Sequence, residues 1–392
     1  MKHALFITTI GFVLACCTKM DQMESIDYKV LLWENGDFSD LGRFGGGDPE
    51  KPSLESFSDF LFFFDKKLTF RVAALEYATV DPNGNPVKAS GVVFHPINKK
   101  SKGVIEVLPT ARVGIAGASE ELYALEGIPA LLGYTVLVPD LLGFGVSKEM
   151  VSPFLMVENT GRVTYDFRRA AASFLWDEFK FDLPSETIIL GFSLGGSAAM
   201  ATQKYYEVYH SNTVKIKEVR AGGGAYDLPT AFKTFARTGL SDYPSIPNTI
   251  LAFDHYYKLN LDFNQVFTGD LLSYYGDLYS GTYTREEMME LLGSDLHAYM
   301  HEDFFKPFDQ QNSEIKKLHP LLIENSVSIG WHPKAPVYLS HAGVDTYVPL
   351  ECAEVAVKNW RRAGSNISFT IYPGNHYTVG YLHFLRSILS FL

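Results

Sequence analysis

Residues 187–209 constrain the fold more than any other stretch of this chain. Thr187-Ile188-Ile189-Leu190 is an apolar, β-branched run that meets Gly191-Phe192-Ser193-Leu194-Gly195 with no spacer. Leu194 to Tyr209 then shows helical spacing with an alanine-rich start. A strand that enters a helix through so short a turn forces its central residue into a strained conformation. It also leaves no room for side chains two residues to either side, hence the flanking glycines. Ser193 is therefore expected to project above a strand end. The N–H of Leu194, at a helix N-terminus, is expected to point at any negative charge that develops there.

The same strand-helix rhythm extends along the chain. Leu68 to Val80 alternates apolar and polar residues, Asp81-Pro82-Asn83-Gly84-Asn85-Pro86 is a dense turn signal, and Val87 to Phe94 resumes the alternation, so a β-hairpin is expected. Strands are read at Val104 to Leu108, Tyr134 to Val138, Thr187 to Leu190, Val214 to Val219, Pro336 to Ser340 and Ile367 to Tyr372. Helices are read at Ser119 to Leu132, Thr160 to Phe179, Leu194 to Tyr209, Leu350 to Ala363 and at the carboxyl terminus. Such alternation predicts an α/β fold, a mostly parallel sheet flanked by helices.

Residues 228–330 break the rhythm. They lack strand-like runs but carry Phe232, Phe235, Tyr256, Tyr257, Tyr274, Tyr275, Tyr279, Phe304 and Phe305 at roughly helical spacing. A structureless loop of that length does not fit a compact domain, so a helical cap insertion with its own packing is expected. The core is then 61–227 together with 331–392, and 18–60, which contains Gly45-Gly46-Gly47, reads as a tether and irregular extension.

A serine hydroxyl is a weak nucleophile and needs a base that a third group orients. Where the nucleophile sits in G-x-S-x-G, the chain order is Ser, acid, His. Val337 to Val344 runs as a strand and glycine turn into Asp345, and Phe369 to Tyr372 runs through Pro373-Gly374-Asn375 into His376. Ser193, Asp345 and His376 are thus the expected triad. Asp227, after Gly222-Gly223-Gly224-Ala225-Tyr226, is the rival acid. His383, in the final helix, and His341, in a strand, read as structural. A second oxyanion donor is assigned to the N–H of Thr110 or Ala111, after the strand ending at Leu108.

No HExxH or other ligand spacing is present, and the triple glycine lacks the Lys-Ser/Thr of a phosphate loop, so neither metal nor cofactor is expected. The net charge of -11 argues against a nucleic-acid partner, because no basic stripe is there to neutralise phosphates.

The amino terminus reads as an export signal. Lys2 precedes an apolar run from Ala4 to Ala15, too short for the roughly 20 residues that cross a bilayer. Val13-Leu14-Ala15-Cys16-Cys17 then resembles a bacterial lipobox, with Cys16 the better fit for acylation and Cys17 the next. Residues 1–17 are accordingly expected to direct the protein to the periplasm or cell surface, with a lipid anchor in the membrane. An ordinary cleaved secretory signal is the alternative. Of 3 cysteines only Cys352 lies elsewhere, and its acidic neighbours Glu351 and Glu354 suit a buried thiol better than a nucleophile.

From about Leu68 onward these features resemble the α/β-hydrolase superfamily, and within it the secretory lipase and serine esterase branch. Gly133-Tyr134-Thr135-Val136-Leu137-Val138-Pro139-Asp140-Leu141-Leu142-Gly143-Phe144-Gly145 is similar to that branch's "GY-V-PD--G-G" stretch. Gly191 to Gly196 is similar to its elbow, and 228–330 sits where its cap does. The departure is Pro109-Thr110-Ala111, where the branch commonly has His-Gly. The resemblance implies hydrolysis of a small-molecule or lipid ester through an acyl-enzyme on Ser193. A peptidase, an aminopeptidase or an acyltransferase of the same fold stands as the alternative.

Overall fold

The computed structural model describes residues 24–43, 65–110, 125–269, 271–273 and 285–392. Among them, nine strands form one sheet: β1 Tyr28–Asp37, β2 Thr69–Val80, β3 Pro86–Pro96, β4 Val104–Leu108, β5 Thr135–Pro139, β6 Glu186–Phe192, β7 Lys215–Gly222, β8 Val337–Ala342 and β9 Ile367–Tyr372. Their order is β1-β2-β3-β5-β4-β6-β7-β8-β9. β1, β2, β3 and β5 pair antiparallel, and every pairing from β5 through β4 to β9 is parallel.

Among the described residues the α-helices with full bounds are α1 Val157–Phe179, α2 Leu194–Tyr209, α3 Leu228–Thr238, α4 Ser245–Tyr257, α5 Arg285–Leu292, α6 Ser313–Glu324, α7 Leu350–Arg362 and α8 His376–Leu389. Both faces of the sheet are covered. Ile105 and Val107 of β4 pack in one cluster with Ile388 at the end of α8, and Val104 packs in another with Ala170 and Phe174 of α1. β4 and β5 are buried at every position, as unbroken apolar strands in a covered parallel sheet must be.

Glu106 is the charged exception on β4. Its carboxylate accepts from Arg168 of α1 at 2.6 Å and from the Tyr206 hydroxyl of α2 at 2.6 Å. Burial pushes the Tyr206 phenol well above its ordinary value, so it remains a donor. A buried charge is tolerable only when paired and hydrogen-bonded, and this one ties both helices to the central strand below the elbow.

The hairpin forms as expected, with Thr79 opposite Val87 next to the turn. The amino-terminal extension is not irregular throughout: Tyr28–Asp37 is an edge strand. Its pattern was illegible because Leu31, Leu32 and Trp33 are all exposed and the register shifts between Val30 and Leu32. An edge with one partner and little burial has no need of strict alternation. Gly45 to Gly47 lie outside the described residues, as do 119–124 of the helix expected from Ser119; a 3₁₀ helix spans Leu125–Leu132.

The described residues between β7 and β8 form α3 to α6 with short 3₁₀ turns. Phe235, Tyr256 and Phe304 are buried in its core, with Phe232, Tyr257 and Phe305 packed around them. Tyr274, Tyr275 and Tyr279 lie outside the described residues. The same cluster reaches Leu194, Ala225 and Val348, so these helices pack onto the end of the sheet where β6, β7 and β8 finish.

Candidate active site

At the end of β6 the backbone of Ser193 has φ 59 and ψ -124, a conformation L-residues rarely adopt. Its flanking glycines make room for that conformation. A Cβ on Gly191 would stand 2.1 Å from the Gly195 carbonyl oxygen, and one on Gly195 would stand 2.3 Å from the Leu108 oxygen. The Ser193 N–H donates to Gly222 O at 2.8 Å, and its carbonyl accepts from Ser197 at 3.1 Å, the first turn of α2. The strain is thus held from both sides, and the hydroxyl is directed away from the sheet.

The loops after β8 and β9 are stitched together. Gly343 N–H donates to Tyr372 O at 2.8 Å and Val344 N–H to Gly374 O at 3.2 Å. This brings Asp345 beside His376, which is the first residue of α8 rather than a loop residue, with Asn375 as the helix cap. His376 Nδ1 lies 2.8 Å from Asp345 Oδ2, and Nε2 lies 2.8 Å from Ser193 Oγ. The other oxygen, Oδ1, accepts the N–H groups of Tyr347 at 3.0 Å and Val348 at 2.9 Å. An ionised carboxylate only accepts, so Nδ1 carries the proton and Nε2 accepts from the serine hydroxyl. That tautomer is the one a base toward Ser193 requires.

No protein-family model matches the chain, and no curated protein matches it in sequence. Solved structures do match. A protein from Legionella pneumophila superposes with a TM-score of 0.76 at 18% identity, over 93% of this chain and 96% of the other. A ligand-bound form of the rice cell wall degrading esterase LipA from Xanthomonas oryzae gives 0.74 at 23% identity, over 93% and 96%. Candida antarctica lipase A gives 0.54 at 19%, over 78% and 73%. The chain has the α/β-hydrolase fold. Identities this low speak to the fold alone.

Within the α/β-hydrolase fold the remaining predicted residues fall into place unevenly. Leu194 opens α2, so its N–H has no acceptor inside the helix and lies beside the serine. The part-buried Thr110 N–H donates to Glu126 Oε1 at 3.3 Å, and so in this structure it is engaged. Glu126 was not anticipated; its only sequence signal is one acid within the apolar run 125–132. Ala111, Cys16 and Cys17 lie outside the described residues.

Asp227 caps α3, accepting the Thr230 N–H at 3.0 Å and the Ser328 hydroxyl at 2.5 Å. His383 is buried against Ser340 Oγ at 2.8 Å, and burial pushes it down to about 4. His341 is closer to the chemistry than its structural reading implied: its Nδ1 is 3.7 Å from Asp345 Oδ2. Burial lowers it too, so it stays neutral there. Cys352 is a buried thiol pushed up to about 12 by burial, no nucleophile. Among the described residues no three His, Cys, Asp or Glu side chains converge as a metal ion would need.

Sequence reading also missed the aromatic surroundings of His376. Tyr347 stacks on the imidazole with centroids 5.0 Å apart and planes 11° apart, and Phe192 approaches at 4.9 Å and 49°. Asp242, before α4, donates its N–H to Thr346 O at 3.0 Å, and the Thr346 hydroxyl donates to the Asp242 carboxylate. A small, mostly apolar cavity lies beside the start of α2, lined in part by Leu141, Phe154, Leu155, Leu194 and Ala198. Leu155 there has φ 58, a second non-glycine residue in the left-handed region next to the elbow.

Proposed function

We propose that the protein hydrolyses carboxylic esters through an acyl-enzyme on Ser193. The observation that carries this reading is the hydrogen-bonded chain from Ser193 Oγ through His376 to Asp345, built on a strained elbow. Strain at a serine that also meets a correctly protonated imidazole serves no packing purpose.

His376 Nε2 takes the serine proton as Ser193 Oγ attacks the ester carbonyl. Asp345 holds the imidazole in its tautomer and balances the imidazolium. The Leu194 N–H stabilises the oxyanion, and the second donor is assigned to Ala111 after β4, or to Thr110 once its N–H leaves Glu126, each worth about 3–4 kcal/mol. His376 then protonates the departing alcohol, and a water that His376 activates cleaves the acyl-enzyme. Esterase and lipase among the structural neighbours are consistent with this chemistry.

Ser193→Ala is expected to abolish turnover of p-nitrophenyl acetate and butyrate, and labelling by a fluorophosphonate, with the thermal midpoint nearly unchanged. Retained labelling overturns the assignment. Faster cleavage of peptide anilides than of esters would move the activity to a peptidase, and transfer to alcohols in preference to water would move it to an acyltransferase.

The location of the enzyme belongs to the same proposal: export, then acylation at Cys16 or Cys17, anchoring it to a bacterial membrane. Partitioning into a detergent phase should then be lost in the Cys16→Ala, Cys17→Ala double variant. Unchanged partitioning rules the anchor out.

A further inference from the structure

Four aromatic or imidazole rings run from the triad through Tyr243, in the loop between α3 and α4, to Phe154, which precedes α1. Tyr347 lies on His376 at 5.0 Å, Tyr243 lies 6.5 Å from Tyr347 with planes 28° apart, and Phe154 lies 6.3 Å from Tyr243 at 31°. The Tyr377 hydroxyl of α8 donates to the Tyr347 hydroxyl at 3.1 Å, fixing the outer rim of that ring. The loop that carries Tyr347 is bonded to Asp242, next to Tyr243. The ring is therefore held in its plane by its own backbone, by α8 and by the inserted segment.

The face of a phenol ring carries negative charge density and attracts a cation placed over it. His376 is the group beneath that face. Among the described residues the titratable groups around it are Asp345 at Nδ1, His341 of β8 behind that carboxylate, Tyr347 on the ring face and Tyr377 on α8. Glu351, at the start of α7, acts on His341 from farther off. His341 is held neutral by burial, so it brings no competing positive charge.

We propose that Tyr347 is a positioning residue for the base: its ring keeps the His376 imidazole in the plane that joins Ser193 to Asp345 and stabilises the imidazolium, with Tyr243 backing it from the loop between α3 and α4. This rests on reading Ser193 and His376 as nucleophile and base.

The test compares Tyr347→Phe, Tyr347→Leu and Tyr243→Leu, with Tyr347→Met as a second ringless variant should the leucine protein not fold. Two readouts are needed: kcat and KM for p-nitrophenyl butyrate across pH, and the His376 ring resonance followed through its titration by NMR. Tyr347→Phe keeps the ring face and should stay within about twofold of the parent. Tyr347→Leu should lower kcat by about 2- to 30-fold, the range for a cation over an aromatic face, with KM almost constant. Its His376 resonance and the acid limb of kcat should both move to lower pH. Tyr243→Leu should act in the same direction and less.

Several results would overturn the assignment. A rise in KM at constant kcat makes Tyr347 a substrate contact. Equal damage in Tyr347→Phe and Tyr347→Leu assigns the effect to the hydroxyl, and an unmoved His376 titration in Tyr347→Leu removes the stabilising role. If the parent protein cleaves no ester, the proposed function fails, yet the NMR titration still decides whether Tyr347 acts on His376.

Discussion

The loops that follow β7 and β8 look alike in one dimension. Each leaves a parallel strand through glycine and ends in an aspartate shortly before a helix. Asp227 spends both oxygens away from any imidazole, one on the Thr230 N–H that starts α3 and one on the Ser328 hydroxyl at the far end of the inserted segment. Asp345 satisfies one oxygen locally, with Tyr347 and Val348, and leaves the other facing His376. The difference comes from outside both aspartates. Only the loop after β8 is bonded to the loop after β9, and that pairing delivers an imidazole to within 2.8 Å. A strand-end carboxylate becomes a candidate acid through what its second oxygen meets.

If that contrast is sound, the two carboxylates separate activity from stability. The larger effect belongs to Asp345→Asn. An amide can donate where the carboxylate only accepted, so it favours the wrong imidazole tautomer, and kcat on esters should fall by about 10⁴ while urea unfolding changes little. A fall below about tenfold would break the distinction. The smaller effect belongs to Asp227→Ala. It removes a helix cap and strands a buried hydroxyl, so the unfolding free energy should drop by about 2 kcal/mol, with kcat within about threefold. An activity loss of 10³ or more with an unshifted urea midpoint would reverse the two roles.

Much of this was legible in the sequence because it rests on local pattern. The elbow follows from Gly191 and Gly195, whose missing side chains are a steric requirement. The central strands β4, β5 and β6 follow from burial on both faces, which leaves nearly unbroken apolar runs. β1 was illegible, since Leu31, Leu32 and Trp33 on an exposed edge obey no period. Tyr347 and Glu126 were equally hidden. Their placement depends on contacts with residues 29 positions later, at His376, and 16 positions earlier, at Thr110. His341 was read as structural from its strand, and nothing in that strand discloses that the turn after it folds Asp345 back to 3.7 Å.

The pair of hydrogen bonds between Asp242 and Thr346 has a mechanical consequence. Thr346 adjoins Asp345, so any outward swing of the chain near residue 242 pulls directly on the acid of the triad. A gate placed there would disarm the machinery each time it opened. Traffic to and from Ser193 that leaves the triad assembled has to pass on another side, and a covalent tether across positions 242 and 346 would leave that traffic untouched.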